Sequence, residues 1–164
     1  MSVVEHTTEV DVPGRVAYDQ WTQFESFPEF MEGVTRVVQQ GDTSLEWTAA
    51  IMGKEKSWTA EIVEQVPDQR IAWRSTSGAP NAGIVTFQPT GDNTTRVTLR
   101  IEAEPEGPIE AAGDSLGFLD RQVKGDVERF KEFLERRGVA TGAWRGEIRG
   151  GDVERDSAGG SSDA

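Results

Sequence analysis

A chain of 164 residues with 35% hydrophobic content can bury one core but hardly two, so a single domain is expected over residues 1–149. Its formal net charge of -12 and pI near 4.5 exclude general nucleic-acid binding and disfavour anionic membrane surfaces, because like charge repels before any contact forms. With no cysteine, disulfides, thiolate catalysis, Fe–S clusters and cysteine-based zinc sites are excluded.

The first segment alternates Val4, His6, Thr8, Val10 and Val12 with Val3, Glu5, Thr7, Glu9 and Asp11, the period of a strand with one buried and one wet face. Pro13-Gly14 ends it, and Val16, Ala17, Tyr18 and Trp21 then fit a short amphipathic helix. A second short helical piece is expected through Phe24, Phe27, Phe30 and Met31, with Pro28 at its start and Gly33 closing it. The N-terminus has no basic segment followed by an apolar run, so it is not read as a secretory signal, and the cytoplasm is the expected location.

From 34 to 104 the pattern becomes six strands, at 34–40, 45–52, 55–66, 70–76, 83–89 and 95–104, separated by turn signals such as Gly41-Asp42, Gly53-Lys54, Pro67-Asp68, Gly78-Ala79-Pro80-Asn81 and Gly91-Asp92-Asn93. Leu45, Trp47, Ala49 and Ile51 share one face of their strand, as do Trp58, Ala60 and Ile62, then Ile71 and Trp73, then Val97, Leu99, Ile101 and Ala103. The alternate positions, Glu46, Thr59, Glu61, Arg74, Arg96, Arg100 and Glu102 among them, form a charged face that belongs in water.

After Pro108, Ile109, Ala112, Leu116, Leu119, Val123, Val127, Phe130 and Leu134 recur at spacings of three and four, one stripe along a long helix able to cover the apolar side of that sheet. Arg136 and Arg137 suit the negative end of its dipole and Gly138 its stop, while Gly113, Gly117 and Gly125 read as kinks or close approaches. Residues 150–164 hold too little apolar surface to join the core and read as a disordered acidic Gly/Ser-rich tail. No stretch approaches the roughly 20 apolar residues that span a bilayer, so no stable membrane insertion is expected.

This order, a strand, two short helices, six antiparallel strands and a long C-terminal helix, resembles the SRPBCC superfamily, which includes START domains and polyketide cyclase/dehydrase-like proteins. The strings 27–34 (FPEFMEGV), 67–75 (PDQRIAWRS), 83–87 (GIVTF), 95–99 (TRVTL) and 130–135 (FKEFLE) are similar to its helix-to-strand passage, central strands and last helix. The similarity runs over about 3–138 and on through 141–147 (TGAWRGE). It implies an α+β helix-grip fold, a curved seven-stranded antiparallel sheet around the C-terminal helix, and a cavity between the two for an apolar ligand of lipid, isoprenoid or polyketide size.

The residues themselves leave the chemistry open. His6, the sole histidine, points inward by alternation and is either a general base or a packed core histidine. Tyr18, the sole tyrosine, is either a ligand-facing phenol or an ordinary helix-surface or capping residue. Trp47, Trp58 and Trp73, with Phe87, Leu99, Leu116, Leu119 and Val123, are the candidate ligand-binding residues, although a core uses the same side chains. Trp21 either guards an entrance or packs beneath the short helices. The acids, including Glu55 and Glu64, point to solvent, no metal cluster has workable spacing, and no cofactor motif such as a glycine-rich phosphate loop is present; Asn93-Thr94-Thr95 is read as a turn.

Three functions follow: a binding or carrier protein for a hydrophobic small molecule, a polyketide cyclase, aromatase or dehydrase-type enzyme using His6 and Tyr18 as its acid/base pair, and an interaction module in the manner of coenzyme-Q-binding relatives. The first needs no proton-transfer groups and is the expected one. Its partner is a hydrophobic small molecule rather than nucleic acid.

Overall fold

A computed structural model describes residues 2–31, 33–51, 54–77, 81–103, 109–144, 146–150 and 152–156, and for 2, 51, 54, 103, 109–119, 152 and 154–156 the backbone alone. In chain order these form β1 (Ser2–Val10), α1 (Gly14–Trp21), a 3-10 segment (Phe24–Glu29), β2 (Val34–Gln39), β3 (Ser44–Ile51), β4 (Lys54–Val66), β5 (Arg70–Ser77), β6 (Asn81–Gly91), β7 (Thr94–Ala103), α2 (Ile109–Arg137), β8 (Gly146–Arg149) and β9 (Asp152–Asp156). The turn signals at Gly53 and at Gly78-Ala79-Pro80, and Pro108 ahead of the long helix, lie outside the described residues.

The six consecutive strands pair with their neighbours, and β1 closes the set by pairing with β7, giving the antiparallel order β1-β7-β6-β5-β4-β3-β2. The sheet curls into a half-barrel. Alternation decides its two faces: Leu45, Trp47, Ala49, Ala60, Ile62, Ile71, Trp73, Val97 and Leu99 are all buried, as the period of two requires. Between β4 and β5 the turn has Pro67 at its second position and Asp68 at φ 66 in its third, closed by Gln69 N–H donating to Val66 O at 3.0 Å. That is the type II pattern, with an aspartate taking the positive-φ position usually given to glycine.

A bulge changes the phase of β4. Ile62 faces Trp73 and Glu64 faces Ala72, so one extra residue is accommodated and Gln65, opposite Ile71, turns inward. Gln65 is buried in consequence, while Glu64 stays at the surface.

α2 packs along β1 and reaches β7, and its Val123, Val127, Phe130 and Leu134 join the sheet's inner residues in one core. It runs unbroken through its three glycines. Gly125 is a close approach within the helix itself, since a Cβ there would lie 2.7 Å from the Arg129 guanidinium. At the C-terminal end Gly138 takes φ 76 and donates to Leu134 O at 2.7 Å, the left-handed stop the sequence implied. No helix among the described residues is long and apolar enough to cross a membrane.

Two local expectations need correction. The second short helix is 3-10 rather than a regular helix, and Pro28 lies near its end; the proline removes an amide donor, and the chain leaves through Phe30 N–H and Met31 N–H, both donating to Phe27 O. The boundary at 150 also moves. Asp152–Asp156 pair with β8, which itself joins β4 at Glu64 and Gln65. One apolar side chain, Ile148, fully buried, anchors this hairpin, and Gly150 at φ 59 turns it. Residues 157–164 of the expected tail lie outside the described residues.

Candidate functional site

The inner face is aromatic because three features converge on it. Trp47 and Trp58 are directly opposed on β3 and β4, which forces them onto one face, and their rings stack with planes 3° apart at 6.0 Å. Trp21 at the end of α1 lies 6.4 Å from Trp73 of β5 in a second stacked pair and meets Phe130 of α2 edge-on at 4.9 Å. The 3-10 segment inserts Phe27 between the two pairs, 5.2 Å from Trp21 and 5.6 Å from Trp47. A continuous aromatic path thus leads from half-buried Trp58 to the centre of the core.

Within this apolar interior lie polar atoms that no group among the described residues satisfies. The indole Nε1 atoms of Trp21 and of Trp47 are buried and make no hydrogen bond among the described residues, and neither does the Oε1 of Gln65. A buried polar group left unmade destabilises by about 1–3 kcal/mol, so each is a departure from ordinary core construction.

His6 occupies the inward register of β1 opposite Leu99 and is partly exposed. Its Nε2 lies 2.9 Å from Asp120 Oδ1 of α2. An Nε2–H imidazole donates to that carboxylate and keeps Nδ1 free as an acceptor. Tyr18 is fully buried with its ring edge-on to Phe87 at 5.6 Å, so it is neither a surface nor a capping residue. His6 thus has in Asp120 a partner other than the Tyr18 with which it was paired from the sequence.

Of the ligand-binding candidates, Trp47, Trp73, Phe87, Leu99 and Val123 are buried on the inner face, and Trp58 is partly so. The side chains of Leu116 and Leu119 lie outside the described residues. Trp21 does not guard an entrance: it is fully buried at the hub of the aromatic cluster. Sequence reasoning missed Asp120 because 114 positions separate it from His6, and only the packing of α2 on β1 joins them. It also passed over Phe27 as a site residue; its placement among other aromatics in a short proline-containing segment was the available signal. Among the described residues no group of three or more His, Cys, Asp or Glu side chains could hold a metal ion.

Residues 10–134 match the model of the family described as polyketide cyclase / dehydrase and lipid transport. An uncharacterized 17.2 kDa protein encoded between melC2 and rnhH in Streptomyces lincolnensis is 50% identical over 149 residues, which cover 90% of this chain and 99% of that protein. A crystal structure of a Deinococcus radiodurans protein is 27% identical with a TM-score of 0.67, over 84% of this chain and 99% of that one. The Zhui aromatase/cyclase of Streptomyces sp. R1128 shares the fold, with a TM-score of 0.73 at 18% identity over 87% of this chain and 98% of that one.

Proposed function

We propose, from the premise that this chain belongs to the polyketide cyclase / dehydrase and lipid transport family within the SRPBCC superfamily, that it binds and carries a hydrophobic small molecule between its sheet and C-terminal helix. A lipid, an isoprenoid quinone or a polyketide-like compound fits the chemistry of the inner face. One observation carries the reading: the aromatic path from Trp58 through Trp47 and Phe27 to Trp21, stacked at its outer pair and tilted or edge-on beyond it, which offers apolar ring surface from the half-buried rim inward. Carriage asks for such a surface and for no proton-transfer step. Native mass spectrometry of protein purified from its own host tests it. A retained apolar small molecule is expected, and a ligand-free mass under conditions that preserve other lipid complexes opposes the reading.

A second reading has its own observation. The His6–Asp120 contact places an oriented imidazole on the inward register of β1, the arrangement a general base uses to remove a proton beside a ligand carbonyl. Under carriage, His6→Gln leaves ligand retention and biological complementation intact. Under catalysis it removes complementation while the folded variant still binds ligand, since losing a general base lowers rate about a hundredfold or more.

A further inference from the structure

We infer that Trp21 and Trp47 form a subsite for a flat ring bearing a hydrogen-bond-accepting oxygen, an aryl ketone or quinone, and that Phe27 fills this subsite when the ligand is absent. The inference rests on the carriage reading above, which it makes specific.

Two independent observations converge on it. The first is geometric. The Phe27 ring is fully buried with Trp21 on one side at 5.2 Å and Trp47 on another at 5.6 Å, so a ring of that size already has a place defined by two indoles from different elements. The second is chemical. Both of these tryptophans carry a buried Nε1 with no acceptor among the described residues, and the phenyl ring beside them offers none. Indole nitrogen is only a donor, so the missing partner must be an acceptor, and an ammonium or a second donor does not meet the need. Phe27 therefore supplies the shape of the occupant and lacks its polarity.

The remaining condition is that Phe27 can leave. It belongs to the 3-10 segment rather than to the sheet or either long element, and that segment is six residues with Pro28 inside it. It stands outside the sheet's ladder of hydrogen bonds, so its displacement leaves Trp21 on α1 and Trp47 on β3 in place. A hydrocarbon entering in its place would leave both indole N–H groups as they are. A carbonyl-bearing ring relieves them, which gives the site a preference that apolar area alone does not supply.

The test compares two probes of nearly equal shape, 2-acetylnaphthalene and 2-isopropylnaphthalene, by titration into the ¹⁵N-labelled full chain while following the indole N–H resonances of its 5 tryptophans. The ketone is expected to bind about tenfold more tightly than the hydrocarbon, the size of one hydrogen bond gained in a dry site, and to move the Trp21 and Trp47 resonances downfield. Assignment comes from Trp21→Phe and Trp47→Phe, and in the latter the ketone preference should shrink. Phe27→Ala should tighten ketone binding by removing the competing ring; if that variant does not fold, the wild-type titration decides alone. Equal affinity for the two probes, or ketone binding with both resonances unmoved, overturns this inference and leaves carriage standing. Binding of neither probe likewise overturns this inference, while carriage stands or falls on the native mass spectrometry above.

Discussion

Gln20 grips Thr141 with both ends of its side-chain amide: Nε2 donates to Thr141 Oγ1 at 3.0 Å, and Oε1 accepts the Thr141 backbone N–H at 2.8 Å. Beside it Thr22 Oγ1 accepts the Trp144 N–H at 3.1 Å while donating its own proton to Asp19 O at 2.6 Å. Buried polar side chains of α1 and its cap thus hold the chain that follows α2, and this explains why a glutamine sits fully inside an otherwise apolar region. Gln20→Ala should destabilise the protein by about 1–3 kcal/mol, because the Thr141 groups lose their partners. Urea unfolding checks it, and an unchanged midpoint would show that the segment is not held this way.

Gly83 exists to seat Trp73. The two are cross-strand partners, and a Cβ at Gly83 would lie 2.4 Å from Trp73 Cζ2 and 2.6 Å from Cε2. Gly83→Ala should therefore push the indole off its place against Trp21 and destabilise by about 1–3 kcal/mol, the usual range for overpacking. A shifted emission spectrum and a lowered melting temperature are the readouts. Alanine at wild-type stability would mean that the ring has room to spare.

The C-terminal hairpin and the residues after it should behave oppositely. Ile148 is fully buried where β8 meets β4, so Ile148→Ala should destabilise by about 2–5 kcal/mol. Deleting 157–164, a stretch of Ser, Gly and Ala with one Asp, should leave stability within about 0.5 kcal/mol. Calorimetry on the two variants separates them. A large effect of the deletion would show that those residues dock.

Acid should weaken the fold through two ion pairs. Arg70 donates to Glu64 from Nε at 2.9 Å and from a terminal nitrogen at 3.0 Å, and these bonds hold the Glu64 carboxyl below its ordinary value against the opposing effect of burial. Lys131 Nζ at 2.6 Å does the same for Glu135, aided by the Asp11 N–H. Both folded-state pKa values are depressed, so the stabilisation is complete above the unfolded glutamate value of about 4.3 and is lost as pH falls through the lower folded values. Glu64→Gln should lower stability near neutral pH modestly and flatten its decline below about pH 4.3; both carboxylates are partly exposed, so high salt should shrink the difference. An acid limb of unchanged slope in the Glu64→Gln variant would remove this pair from the account.

The fold was legible in the sequence because its signals are local. The alternation of Leu45, Trp47 and Ala49 against Glu46 and Thr48 identifies a face without knowledge of its partner, and the three-and-four spacing of Val123, Val127, Phe130 and Leu134 does the same for the helix. What escaped depends on pairing or on phase. The inward turn of Gln65 follows from a bulge opposite Ala72 that no composition signals. β8 has one apolar anchor and β9 mostly charge, too little periodicity to mark as strands, and they form because β4 offers Glu64 and Gln65 as partners. The site was half legible for the same reason: alternation selected Trp47, Trp58 and Trp73, whereas the contacts of His6 with Asp120 and of Phe27 with two tryptophans arise only when distant elements pack.

The central claim is that the aromatic interior receives an apolar ligand, and a combined fluorescence and melting titration of the intact protein tests it most directly. With lipids, isoprenoid quinones and polyphenols as probes, at least one class should quench or shift tryptophan emission, because Trp47 and Trp58 lie on the path inward. The same class should raise the melting temperature as expected for about 2.7 kcal/mol of stabilisation at a free concentration one hundred times its dissociation constant. Emission and melting temperature unchanged across every class would contradict ligand carriage.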